Sequence, residues 1–171
     1  MIIQIFEKNK GSVHVRWESS LRGVLGKSTA DLDLEVIQAP QELQKSLLNW
    51  ELTGDISLIN KPEYFNDEKR LFIPGAIGFY KQQCLKEAPH AHHGCCLWGE
   101  YIAVEYAPSD YKLSTQLHEC LHLFRVNECY NPQTREPIPE CTNDQCVMRY
   151  GVISTEVCSH VLEQLNYYHS T

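Results

Sequence analysis

Two segments decide how the chain reads: His118–Cys129, HECLHLFRVNEC, and Cys141–Gly151, CTNDQCVMRYG, which begins twelve residues after Cys129. Two histidines four residues apart differ by about 40° around a helix and sit one turn apart along it, so His118 and His122 can meet one ion. Glu119 projects about 100° round, beside a metal and not on it, where a carboxylate can take a proton from zinc-activated water. HExxH alone would arise by chance roughly once in thirty chains of this composition, so it is weak by itself. Its setting strengthens it. Leu113, Leu117, Leu121 and Phe124 recur at helical spacing, with Ser109 and Asp110 as candidate caps after Pro108. The alternative is two surface histidines on an ordinary amphipathic helix.

At 171 residues and 43% hydrophobic content, the chain fits one compact domain, 1–171, able to bury a core. A net charge of −7 and the lack of a basic run argue against a nucleic-acid partner. No apolar stretch reaches the ~18–20 residues needed to span a bilayer. MIIQIFEKNK carries charge right after its apolar residues and reads as a strand, not a secretory signal. These features predict a cytoplasmic protein without a membrane partner, expected to be a monomer.

Working outward from the helix, Ile2–Phe6 and Asp31–Ile37 read as strands, the second alternating Leu32, Leu34 and Val36 against Asp33 and Glu35. Pro40 opens a helix over Gln41–Trp50, which Gly54 ends. Asp55–Asn60 reads as the next strand, Lys61–Arg70 as a polar surface excursion, and Leu71–Tyr80 and Glu100–Tyr106 as two more strands. Lys81–Gly99 is taken as a long loop. Ser154–Tyr168 is apolar at Val157, Val161, Leu162 and Leu165, a closing helix. Strands before an active helix and a cysteine-rich tail after it predict an α+β or α/β fold.

In a reducing compartment the 8 cysteines are expected to be thiols or metal ligands, not disulfides. Cys129, Cys141, Cys146 and Cys158 crowd behind the HExxH helix and suggest a second, structural metal. Cys84, Cys95, Cys96 and Cys120 fit no ligand spacing, and Cys120 reads as a buried helix residue. His90, His92 and His93 read as a solvated loop that binds metal adventitiously, the alternative being a cleft lining.

HECLHLFRVNEC followed by C-x4-CVM resembles the archaemetzincins, zinc-dependent metallopeptidases of the metzincin group, over Leu117–Leu165. The matching positions are Cys129 eleven residues after the first histidine, the Met-turn Cys146-Val147-Met148, and Cys158. Upstream, only the rough order of strands and helices and GEYIAVEY (99–106) agree. The resemblance implies a single metzincin-like domain: a mixed twisted sheet within 1–107, and within 108–171 the active-site helix, Met-turn and C-terminal helix. It further implies that Met148 forms an apolar floor beneath the zinc. Tyr150 repeats an M-x-Y spacing, so its phenol would bind the metal or donate to a developing oxyanion; the alternative is an ordinary buried tyrosine. A peptide or protein substrate would lie extended along an edge strand, for which GEYIAVEY is the candidate.

The chain departs from the family pattern in three places. Arg125 stands where the pattern has glycine, and a left-handed turn there costs an L-residue roughly 1–2 kcal/mol; Asn127 tolerates that turn better and would move the break by two residues. Glu128 stands where the pattern has His or Asp as third ligand. On a straight helix Glu128 would point about 120° from His122, so it is a ligand only if the chain breaks near Arg125–Asn127; otherwise Glu156, His160 or Glu163 serves. Last, Cys158-Ser159-His160-Val161 replaces a C-x-x-C, and the loop Tyr130–Glu140 is longer. A tetrahedral second site would take Cys129, Cys141, Cys146 and Cys158, or His160 in place of Cys141; the alternative is four packed thiols.

The predicted function is zinc-dependent peptide hydrolysis, with zinc held by His118, His122 and a third ligand, and Glu119 as general base. The rival is a zinc-stabilised metzincin-like binding module with little or no turnover.

Overall fold

The computed structural model describes residues 1–170. The fold is α+β: a five-stranded mixed sheet and five helices. The strands are β1 (Ile2–Ile5), β2 (Glu35–Gln38), β3 (Lys69–Ile73), β4 (Gly94–Leu97) and β5 (Ile102–Glu105), in the order β2-β1-β3-β5-β4. All neighbours are parallel except β4, which runs antiparallel to β5 at the edge. The helices are α1 (Trp17–Leu25), α2 (Gln41–Thr53), α3 (Phe79–Glu87), α4 (Lys112–His122) and α5 (Ser159–His169).

Both faces of the sheet are covered, so its central strands are buried on both sides and mostly apolar, with Gln4, Arg70 and Glu105 as buried polar residues. In β3, Phe72 packs with Trp17 and Leu21 of α1, Leu117 and Leu121 of α4, and Leu165 of α5. Its neighbours Leu71 and Ile73 point the other way, toward Leu43, Leu47 and Trp50 of α2 and Tyr80 of α3. The helix carrying HExxH therefore lies directly on the sheet, and α1 packs beside it.

Several expectations are corrected by local chemistry. Asp55–Asn60 is no strand: Ile56–Leu58 is a 3-10 turn, because the Asp55 carboxylate accepts from Ser57 N (3.0 Å) and Ser57 Oγ (2.7 Å) and closes the chain on itself. The strand expected over Leu71–Tyr80 stops at Ile73, where Pro74 lacks an N–H and Gly75 takes φ 59°. Phe79 then starts a helix, so Lys81–Gly99 is not one long loop but most of α3 followed by β4. Those two elements are joined by a Cys84–Cys95 disulfide, with Cα atoms 5.7 Å apart, which corrects the expectation that every cysteine is a thiol or a ligand. GEYIAVEY is not at the edge either. Its core, β5, is paired on both sides, and the edge strand is β4. Among the described residues, no helix is long and apolar enough to cross a membrane.

Candidate metal centres

Helix α4 buries Leu117, Cys120 and Leu121 against the core and turns His118 and His122 toward a cavity. Neither Ser109 nor Asp110 caps it with a side chain; Tyr111 precedes the first helical residue, and the entry is a turn in which Lys112 N donates to Ser109 O (3.3 Å). The other end sets the site. Arg125 N donates to His122 O (3.0 Å) and Val126 N to Leu121 O (3.3 Å), the paired bonds of a Schellman ending. Arg125 occupies the left-handed position itself, with φ 64°, so the break is not displaced to Asn127. Its guanidinium is tied to Glu100 (2.7 Å) and Asp67 (3.5 Å), partly exposed pairs that offset little of the backbone cost. Arg125→Gly is therefore expected to be more stable than Arg125→Ala by about 1 kcal/mol, the reverse of their usual order within a helix. Urea unfolding of both variants tests this, and alanine equal to or above glycine would contradict the left-handed turn.

The turn sends the chain back over the helix. Asn127 N (2.8 Å) and Nδ2 (3.0 Å) both donate to Gln164 Oε1 of α5, which fixes the segment leading into Glu128. Glu128 then meets both histidines. Its Oε2 lies 3.2 Å from His118 Nε2, its Oε1 lies 3.2 Å from His122 Nε2, and the two Nε2 atoms are 3.2 Å apart. Donor atoms about 2.0–2.2 Å from a tetrahedral zinc stand roughly 3.3–3.5 Å from one another, so the spacing fits. Glu156, His160 and Glu163 are not in this cluster: Glu156 accepts from Asn143 Nδ2 (3.3 Å), and His160 and Glu163 line a separate shallow hollow.

The hydrogen bonds behind the rings decide what the front atoms are. His118 Nδ1 is 2.9 Å from Val147 O, and His122 Nδ1 is 2.6 Å from Val126 O. A carbonyl only accepts, so both Nδ1 atoms carry protons, and a neutral ring then presents a bare lone pair at Nε2. Two lone pairs and a carboxylate thus converge on one point, and Glu128 Oε2 is buried with no hydrogen-bond donor. Such a set repels itself unless a positive charge sits among it, either a metal ion or a proton on an imidazole. With no metal present a proton takes that place: burial disfavours charge on His118, yet the Glu128 carboxylate outweighs it and pushes the imidazole up to about 10. Burial likewise opposes charge on Glu128, and His118 and His122 hold its carboxyl well below the usual range.

Glu119 stands beside this cluster, not in it. It is 6% exposed, and burial raises its carboxyl to about 6 against the pull of His118 and His122. A Cβ at Gly94 would lie 2.6 Å from Glu119 Cγ and 2.7 Å from Oε1, so β4 needs glycine there to let the carboxylate in. A lone glycine among apolar strand residues marks such an approach, but Gly94 lies in the segment read as loop.

The second cluster is Cys129, Cys141, Cys146 and Cys158, all buried, with their sulfurs within 4.8 Å of one another. Cys129 Sγ is 3.7 Å from Cys158 Sγ and 3.9 Å from Cys146 Sγ. Sulfurs about 2.3 Å from a tetrahedral zinc stand roughly 3.8 Å apart, whereas a disulfide would bring them to about 2.05 Å. The hydrogen bond between Cys129 and Cys146 raises the Cys129 thiol and lowers that of Cys146. Irregular backbone gathers them: Cys129 N donates to Met148 O (2.9 Å), Cys141 N to Ile138 O (3.1 Å) and Val147 N to Glu156 O (2.7 Å). Residues 154–158 are used in this way, which is why α5 begins only at Ser159. His160 does not replace Cys141.

The two clusters are wired together. Glu128 and Cys129 are consecutive, and the carbonyl behind His118 belongs to Val147, next to Cys146. Met148 is fully buried in the same core as Leu121. Tyr150 is 37% exposed, so it is no ordinary buried tyrosine; it stands on the cavity wall among Tyr130 (5.6 Å between ring centres), His92 (6.1 Å) and Arg135 (4.7 Å). The cavity is about 1310 Å³ and also takes in His90 and His93, so the triplet, an exposed loop at His90 and His92, lies on the rim of the cleft. No family model matches the chain, and no curated protein or solved structure is significantly similar to it.

Proposed function

We propose that the protein is a zinc-dependent metallopeptidase of archaemetzincin type, with His118, His122 and Glu128 holding the catalytic ion and the four cysteines holding a structural one. One observation carries this reading: two imidazole Nε2 atoms, each ring fixed by a carbonyl on its far nitrogen, converge with the Glu128 carboxylate on one point of a cleft floor at the spacing of zinc ligands. A zinc ion there would supply a Lewis acid that polarises the scissile carbonyl and acidifies water. Glu119, buried beside the donors and held near neutrality, accepts the proton of the attacking water and passes it to the leaving amine as the C–N bond breaks. The Tyr150 hydroxyl is the candidate donor to the developing oxyanion. The cleft is large enough for an extended peptide segment.

Incubation of the metal-loaded protein with a mixed peptide library tests the assignment. Cleavage should disappear on chelation and return with zinc. Cleavage that survives chelation, or an intact library, would overturn it.

A further inference from the structure

The loop that makes this chain longer than the archaemetzincin pattern reaches the same cavity. Its residues 130–137 form a closed turn: Tyr130 bridges to Pro137, Asn131 N donates to Glu136 O (2.8 Å), and Arg135 N donates to Asn131 O (2.7 Å). Asn131 Oδ1 takes Gln133 N (2.9 Å) and Thr134 N (3.2 Å), which stiffens the turn. Arg135 has φ 63°, an unfavourable angle for a non-glycine residue, and its guanidinium lies over the Tyr150 ring at 4.7 Å.

Three arginines line the cavity: Arg125, Arg135 and Arg149. Arg125 is paired with Glu100 and Asp67, and Arg149 with Asp144. Arg135 has no ion-pair partner among the described residues. His92 lies against the same tyrosine, so that wall offers an arginine and an imidazole. Four glutamates line the cavity too: Glu100 is paired with Arg125, Glu128 faces His118 and His122 with Glu119 beside them, and Glu87 stands apart. In a chain of net charge −7, the exposed Arg135 guanidinium, seated over Tyr150 without an ion-pair partner among the described residues, is free to take an anion. Tyr130, next in the chain but one to Glu128, has its ring 5.6 Å from that of Tyr150, and the Arg135 guanidinium lies 4.7 Å from the Tyr150 ring, so the three are within reach of one short segment.

We infer that Arg135, held over Tyr150 by the 130–137 turn, binds a carboxylate of the substrate, so that the cleft selects acidic peptides. This rests on the peptidase reading for its substrate class. The carboxylate could belong to an Asp or Glu side chain or to the substrate's C-terminus, and the test separates the two.

Zinc-loaded Glu119→Gln protein, which should bind without turning over, would be titrated with three fluorescent octapeptides. One carries Glu and a C-terminal amide, one has Gln in that place with the amide, and one has Gln with a free C-terminal carboxylate. At least one carboxylate peptide should bind about tenfold tighter than the neutral one; which one identifies the source. Adding Arg135→Gln should bring that ratio to about one, and Arg135→Glu should take it below one. Equal binding of all three peptides, or a ratio indifferent to Arg135, would overturn the inference. Wild-type turnover distinguishes the two failures: carboxylate preference without cleavage would refute the peptidase and leave this site, and cleavage without preference would do the reverse.

Discussion

Glu119→Gln is expected to lower peptide hydrolysis by about a thousandfold while leaving metal content at the wild-type level. Glutamine matches the shape of glutamate, so the tight approach of Gly94 to the side chain is kept. It cannot take a proton, however, and Glu119 is the buried carboxylate beside the three donors that is not one of them. Steady-state cleavage alongside elemental analysis checks both halves. Unchanged hydrolysis would move the base elsewhere. Should wild type and variant both lack turnover while retaining zinc, the zinc-stabilised binding module becomes the better account.

Cys146→Ser should act on the fold itself. Structural zinc sites contribute on the order of 10 kcal/mol of apparent folding free energy, and the irregular segment between Cys129 and Cys158 has no helix or strand of its own to replace it. The variant should lose the cysteine-bound ion and melt well below wild type. It should also bind the other ion more weakly, because Val147 O orients His118 from the residue after Cys146, and Glu128 adjoins Cys129. Thermal unfolding with zinc stoichiometry reads both effects. A variant that melts like wild type would mean that the four sulfurs are packed thiols.

The site was more legible than the sheet that carries it. Ligand chemistry is local: His118 and His122 are set by helical spacing alone, and the four cysteines by their residue type and crowding. Glu128 required knowing where the helix ends, and Arg125 hides that end by taking a conformation that glycine would have advertised. Helix α1 was readable in principle, since Trp17, Leu21, Val24 and Leu25 share one face, yet no cap or glycine marks its start. Helix α3 was not, because only Tyr80 and Cys84 of its nine residues are buried and the disulfide to β4 supplies what apolar spacing lacks. Gly94 carries a local signal only once its segment is known to be a strand, and the seat of Arg135 over Tyr150 joins residues that no local pattern connects.

The central claim is that two clusters of side chains, one of them His118, His122 and Glu128, each hold a metal ion. Elemental analysis of untagged, dialysed protein tests it most directly, for wild type and for His118→Ala/His122→Ala. About two zinc ions per wild-type chain, falling to about one in the double variant, is the expected result. A wild-type chain without zinc, or a double variant that keeps both ions, would contradict it.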